Sequence, residues 1–214
     1  MHISELEILF SSKRLQTYYQ LLHGDKEKAF AYYLLNIEIS KSFYPLLSTV
    51  EIVLRNAIHN SCTAHFGTDS WLLESGIISI NDRVEKASKK IISRQQTPTP
   101  DLLVAELTFG FWTSLFHKRY AKYFWKPLMH TFPYIPAELK HRDKISYQLE
   151  NVRKFRNRIF HYEPICNDLS ALEKNHKAIL DILSWLNKDL TNWLPQTNRF
   201  QVLHQSAFEL LQSR

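Results

Sequence analysis

Apolar residues recur at steps of three and four along most of the chain, and no stretch alternates strongly in the manner of a half-buried strand. Phe30, Tyr33, Leu34 and Ile37 follow one such stripe, and Leu46, Leu47, Val50, Val53, Leu54, Ala57 and Ile58 follow the next. Leu103, Leu107, Phe111 and Leu115 form a third, and Leu172, Ile179, Ile182, Leu183, Leu186 and Trp193 a fourth. The periodicity predicts an all-α fold. Four glycines agree, since an all-β chain would want more turns. A length of 214 residues suits one core and a single domain over residues 1–214.

Punctuation residues divide these stripes. Ser11 or Ser12 is placed to cap a helix carrying Leu15, Tyr18, Tyr19 and Leu22, and Gly24-Asp25 makes a turn with Asp25 as the next cap. Pro45 predicts a kink or short break near Ser42 to Tyr44, and Gly67 ends that helix. Trp71, Leu72 and Leu73 are expected to pack a loop against the core. Asn81 is placed to cap a basic helix over 82–96. Thr97-Pro98-Thr99-Pro100 reads as a short stiff connector, and Asp101 as the start of a helix running through Leu115. Gly110 inside that helix costs about 1 kcal/mol relative to Ala, which close approach by another helix would explain. Pro127, Pro133 and Pro136 break up the following connection, and a long helix is predicted over 138–162. A last helix begins near Asp168 and ends at Pro195, and the tail, 198–214, has room for one short helix through Val202, Leu203, Phe208 and Leu210.

The end of the 138–162 helix concentrates the chemistry. Leu149, Val152, Phe155 and Ile159 mark its inner face, and Pro164 disfavours helix at Glu163, so the helix should stop near Tyr162. Asn157 and His161 lie about 40° apart around the axis, which makes them neighbours. Glu150 and Arg153 border the same polar stripe. Arg156 falls within the apolar arc, where a guanidinium is costly unless paired or facing a polar cleft. An Arg, Asn, His cluster at a helix end could grip a phosphate and move a proton. The same residues equally suit an ordinary basic last turn that completes the helix dipole.

Arg156-Asn157-x-x-x-His161 resembles the R-N-x-x-x-H signature of HEPN domains, an all-helical superfamily rich in RNA-cutting toxins and defence proteins. The continuation His161-Tyr162-Glu163-Pro164-Ile165 resembles its Abi-like (abortive infection) branch in particular. Glu51 with Leu54-Arg55-Asn56-Ala57-Ile58-His59 looks like that family's N-terminal segment. So do the spacing of Arg14-Leu15, Tyr18, Gly24-Asp25, Ala29 and Asn36 and, further on, Leu107-Thr108-Phe109-Gly110-Phe111-Trp112. The resemblance covers residues 11–200 or so, leaving 201–214 as a tail. It implies a HEPN-like antiparallel helical bundle with additional helices and a metal-independent endoribonuclease of phage defence or toxin type. It also implies RNA as substrate, a homodimer, and an antitoxin or defence-system partner. Arg156 and His161 would be catalytic and Asn157 positioning, with Glu51, Arg55, Asn56, Arg153, Tyr162 and Glu163 in supporting places. The family often has a second histidine where this chain has Tyr162. Arg55-Asn56-x-x-His59 is a second, shorter Arg-Asn-His string, with two residues rather than three between Asn and His, and no catalysis is assigned to it. The alternative reading is a non-catalytic helical module that binds RNA or a protein.

The remaining chemistry is narrowed by what the chain lacks. It has no HExxH, no CxxC and no tight carboxylate cluster, so no metal is expected; without a phosphate loop or glycine-rich dinucleotide turn, no cofactor is expected either. Cys62 and Cys166 do not make a disulfide framework. A net charge of +6 allows a polyanionic partner or a merely solvated basic surface. The same two readings hold for the 82–96 helix, with Arg83, Lys86, Lys89, Lys90 and Arg94. His117, Lys118, Arg119, Tyr120, Lys122 and Tyr123 form an aromatic and basic patch that suits core and rim packing or base stacking. Glu5 and Glu7 argue against a signal peptide, and no apolar run is long enough for a membrane span, so a cytoplasmic protein is expected.

Overall fold

The longest element is a helix of 41 residues, α3 (Lys26–Phe66), which runs unbroken through Pro45. Of the kink or short break expected there, the break is absent. Proline removes one backbone donor, but buried residues lie on both sides of it, Ile39 and Phe43 before and Val50, Leu54 and Ile58 after. Their burial holds the helix where propensity alone would end it. The computed structural model describes residues 3–74, 76–194 and 197–212. Among the described residues there are twelve α-helices, two 3₁₀ turns and no strand, so the chain is all-α.

The described residues divide into two compact units. The first takes them from Met1–Leu47, Lys154–Leu180 and Thr191–Arg214, and the second from Ser48–Arg153 and Asp181–Leu190. The first contains α1 (Ile3–Phe10), α2 (Ser12–Leu21), the start of α3, the end of α9 (Arg142–Phe160), most of α10 (Leu169–Leu186) and α12 (Thr197–Gln212). Asp25 caps α3 through Oδ1, which accepts from Lys28 N at 3.0 Å, and Asp168 caps α10 by accepting from Ala171 N at 2.9 Å. Along α3, Ala29, Tyr32, Ile39 and Phe43 are fully buried. Phe43 meets Phe155 at 4.9 Å and Phe200 at 5.2 Å, both edge-on, so α3, α9 and α12 share one aromatic core. His176 of α10 lies flat on Phe200, with ring centroids 4.0 Å apart.

The second unit holds the rest of α3, α4 (Trp71–Glu74), α5 (Ile78–Ser93), α6 (Pro100–Glu106), α7 (Phe109–Ser114), α8 (Ala121–Leu128) and the first part of α9. Its core is also aromatic, with Trp71, Trp112, Phe116, Phe124 and Phe132 buried. Leu72 is buried beside Trp71, whereas Leu73 is exposed.

Several predicted boundaries move. The single helix expected from Asp101 through Leu115 is two, because Thr108 caps α7 by accepting from Phe111 N at 3.3 Å. A threonine inside an apolar stripe offers the backbone that alternative. The basic helix starts at Ile78 rather than after Asn81. Pro127 lies inside α8, and the 138–162 helix is a 3₁₀ turn at Ala137–Leu139 followed by α9. Trp193, expected on an inner face, is 74% exposed in the short α11 (Leu190–Trp193). The tail helix is α12, in which Phe200 and Ala207 are buried while Val202 and Phe208 are exposed. Pro195, expected as a terminator, lies outside the described residues.

Candidate functional site

Helix α9 ends in a Schellman cap. Tyr162 N donates to Ile159 O at 3.0 Å and Glu163 N to Arg158 O at 2.9 Å, while His161 N still reaches Asn157 O at 2.9 Å. This pattern makes His161 the C-cap residue and puts Tyr162 in the left-handed position that glycine usually fills. Tyr162 has φ +58°, a conformation that L side chains adopt at a cost. The helix therefore stops at Phe160, two residues before the expected end, and His161 stands just beyond its last turn.

Side chains from distant parts of the first unit hold the loop that follows. Arg158 folds over the cap, donating through Nε to Glu163 Oε2 at 3.2 Å and through Nη2 to Pro164 O at 2.7 Å. Arg14 of α2 donates to the Tyr162 carbonyl. Asn36 of α3 accepts from Ile165 N at 2.8 Å and Cys166 N at 3.2 Å through its Oδ1, and the Tyr32 hydroxyl donates to Cys166 O at 2.9 Å. Asn36 is buried, so these bonds satisfy groups that would otherwise be costly to remove from water. Arg14 and Asn36 had no role by residue chemistry alone. One signal was available for Asn36: it interrupts the 3,4 stripe of Ala29, Tyr32, Ile39 and Phe43 with a polar side chain.

On this fixed frame, Arg156 is half-buried, with its guanidinium carbon 4.2 Å from the centroid of the Phe160 ring. Its Nη1 donates to Asn157 Oδ1 at 3.5 Å, a weak contact. The Phe160 ring in turn stacks on Tyr44 of α3, with centroids 5.6 Å apart and planes at 26°. His161 is exposed, and its ring makes no hydrogen bond among the described residues. Tyr162 is also exposed, and Glu163 is engaged by Arg158. Arg156, Asn157, His161, Tyr162 and Glu163 thus share one helix terminus.

The other predicted supporting residues belong to the second unit. Arg153 donates to Glu150 twice, from Nε at 2.8 Å and Nη2 at 2.6 Å, and this pairing raises the guanidinium's already high pKa. Glu51 is half-buried and Asn56 exposed. Arg55 directs Nη1 to Ala105 O at 3.4 Å, and its buried Nε has no hydrogen-bond partner among the described residues. His59 accepts a hydrogen bond on Nδ1 from Trp71 Nε1 at 3.1 Å, and burial lowers its pKa. In α5, Lys89 pairs with Glu85 at 2.6 Å, and Lys90 and Arg94 approach Glu106 at 3.5 and 2.7 Å. Arg83 donates to Ser114 Oγ at 2.8 Å. Lys89, Lys90 and Arg94 are thus exposed cations in surface ion pairs, each worth little.

Protein-family models, curated proteins and solved structures give no match to this chain.

What the terminus can do follows from its groups. A guanidinium lying over a ring keeps its N–H donors at the edge, where two phosphate oxygens fit. An exposed imidazole can reach a bound substrate as a base or an acid. Cys62 and Cys166 are both buried, and burial pushes their thiols up to about 12, which removes them as nucleophiles. Among the described residues no three His, Cys, Asp or Glu side chains are grouped to hold a metal ion, and no helix is long and apolar enough to cross a membrane.

Proposed function

We propose that the chain is a metal-independent endoribonuclease of the HEPN, Abi-like kind, acting in phage defence or as a growth-arresting toxin. The observation that supports this most directly is the pairing of two states at one helix end. Arg156 is half-buried against Phe160, and His161 is open to solvent on a capped, hydrogen-bonded turn. A merely dipole-completing last turn would not need its arginine held against an aromatic ring.

RNA brings its own nucleophile. The 2′-hydroxyl attacks the adjacent phosphorus once a base removes its proton, and the 5′-oxygen leaves once an acid protonates it. In this reading His161 performs one of those transfers and Arg156 steadies the charge that grows on the phosphorane oxygens. Asn157 orients the pair. One imidazole does not serve both transfers at once, so a second copy of the chain supplies the other, and the products are a 2′,3′-cyclic phosphate and a 5′-hydroxyl.

The test is a mixed RNA pool incubated with purified protein in EDTA. Cutting should persist in chelator and fall at least about 100-fold in both His161→Ala and Arg156→Ala, the scale of one proton-transfer group or one charge-stabilising donor. RNA binding without cutting, unchanged by His161→Ala, would replace this reading with the non-catalytic module.

A further inference from the structure

Beside the motif turn, within the first unit, lies a cavity of about 470 Å³. Four aromatic rings line it, Phe10, Tyr33, Tyr44 and Tyr162, together with two cations, Arg14 and Lys41. None of the described residues lining it is a carboxylate. Its size is that of small-ligand sites. Its composition suits an occupant that is both planar and anionic, because aromatic faces stack on bases of any identity while cations hold phosphate.

Its position connects it to the candidate catalytic group. Tyr44 lines the cavity and also stacks on Phe160, the ring over which Arg156 sits. Those two contacts hold the Tyr44 ring within about 10 Å of the Arg156 guanidinium, the reach of one or two nucleotides of single strand. Tyr44 and Tyr162 are 40% and 70% exposed, so both rings are open to a ligand. Arg14 is held at the cavity by the Tyr162 carbonyl, and Lys41 by Glu38, which Arg199 also contacts at 2.7 Å. Arg14 is therefore pre-positioned by a carbonyl contact that a phosphate can share, and a phosphate at Lys41 replaces Glu38 in an exposed pair worth little.

We propose that this cavity receives one unpaired nucleotide of an RNA strand, its base against the tyrosine rings and its phosphate against Arg14 and Lys41. The proposal rests on the ribonuclease reading, since it names how the strand is gripped next to Arg156.

The experiment uses the full chain carrying His161→Ala and an uncleavable, 2′-O-methylated RNA octanucleotide, with free nucleoside 5′-monophosphates as a second probe. Tyr44→Ala should weaken octanucleotide binding at least tenfold, and Lys41→Gln three- to fivefold with a shallower salt dependence. Lys89→Gln, on the Glu85-paired face of α5, should leave binding unchanged. Lys41→Gln changes a half-exposed side chain and keeps the test valid if Tyr44→Ala fails to fold. Octanucleotide affinity within twofold of the parent in both cavity variants overturns the proposal. Monophosphates binding as tightly as the octanucleotide overturn it too, by assigning the cavity to a free nucleotide. Weakened octanucleotide binding in these variants supports the cavity even if His161-bearing protein never cuts RNA, an outcome that would remove only the ribonuclease reading.

Discussion

The chain contains two Arg-Asn-His strings, and they have opposite fates. In the second unit, Arg55-Asn56-x-x-His59 lies in the body of α3. Its histidine accepts from Trp71 Nε1 and is half-buried, and its arginine points at a backbone carbonyl. In the first unit, Arg156-Asn157-x-x-x-His161 closes α9, where His161 is exposed and makes no ring hydrogen bond among the described residues. What separates them is their place in the helix, since His161 follows the last residue of α9 whereas His59 lies seven residues before the end of α3. Mid-helix, an imidazole is recruited into packing, and burial holds His59 toward its neutral form. At a terminus it stays available for proton transfer.

The comparison breaks first on the two histidines themselves. His161→Ala should abolish RNA cutting, by at least about 100-fold, with little change in the denaturation midpoint. His59→Ala should do the reverse, losing about 1–3 kcal/mol because the part-buried Trp71 N–H loses its acceptor, with cutting per folded molecule intact. Equal loss of activity in the two variants would show that the strings do not differ in kind.

His176 extends the contrast to a buried imidazole. Burial pushes it down from 6.5 to about 4, and its Nε2 has no hydrogen-bond partner among the described residues. Glu173 opposes that shift and His204 adds to it. The unfolded chain takes up a proton near its ordinary pKa while the folded chain resists it. Stability from this group is therefore complete above about pH 6.5, declines as pH falls, and is gone below about pH 4, with a full size on the order of 3 kcal/mol. Urea midpoints measured across that window should drop less steeply in His176→Phe, which keeps the flat contact with Phe200. An identical slope in variant and parent would count against it.

The smaller effects concern the backbone at the two capped turns. Tyr162→Gly should raise stability by about 1 kcal/mol by relieving the left-handed conformation, while weakening octanucleotide binding through loss of the ring. Gly110→Ala should raise stability by about 0.4–1 kcal/mol. A Cβ there would sit 3.6 Å from Arg153 Cδ, an ordinary contact, so the close helix approach expected at this glycine does not exclude a side chain. A fall in melting temperature for either variant would contradict these assignments.

Local pattern decided much of this molecule before any contact was known. Runs of apolar residues at helical spacing require helices that bury one face, and with few glycines and no alternating stretch the all-α class follows. Asp25 was legible as a cap because capping depends on a residue and its next three neighbours, and Asp168 as the start of its helix. Thr108 was legible in principle by the same rule, but an apolar stripe continuing on both sides outweighed it. The Arg156, Asn157, His161 terminus was visible because it lies within six consecutive residues.

Only tertiary structure could decide what surrounds that terminus. The Arg14 and Asn36 bonds that hold the motif turn span more than a hundred residues of sequence, and spacing rules do not reach that far. The same is true of Tyr44 on Phe160, which brings the first unit's cavity to the side of Arg156. Pro45 teaches the converse. Its local preference is to break a helix, and burial on either side overrides it because tertiary packing supplies most of a helix's stability.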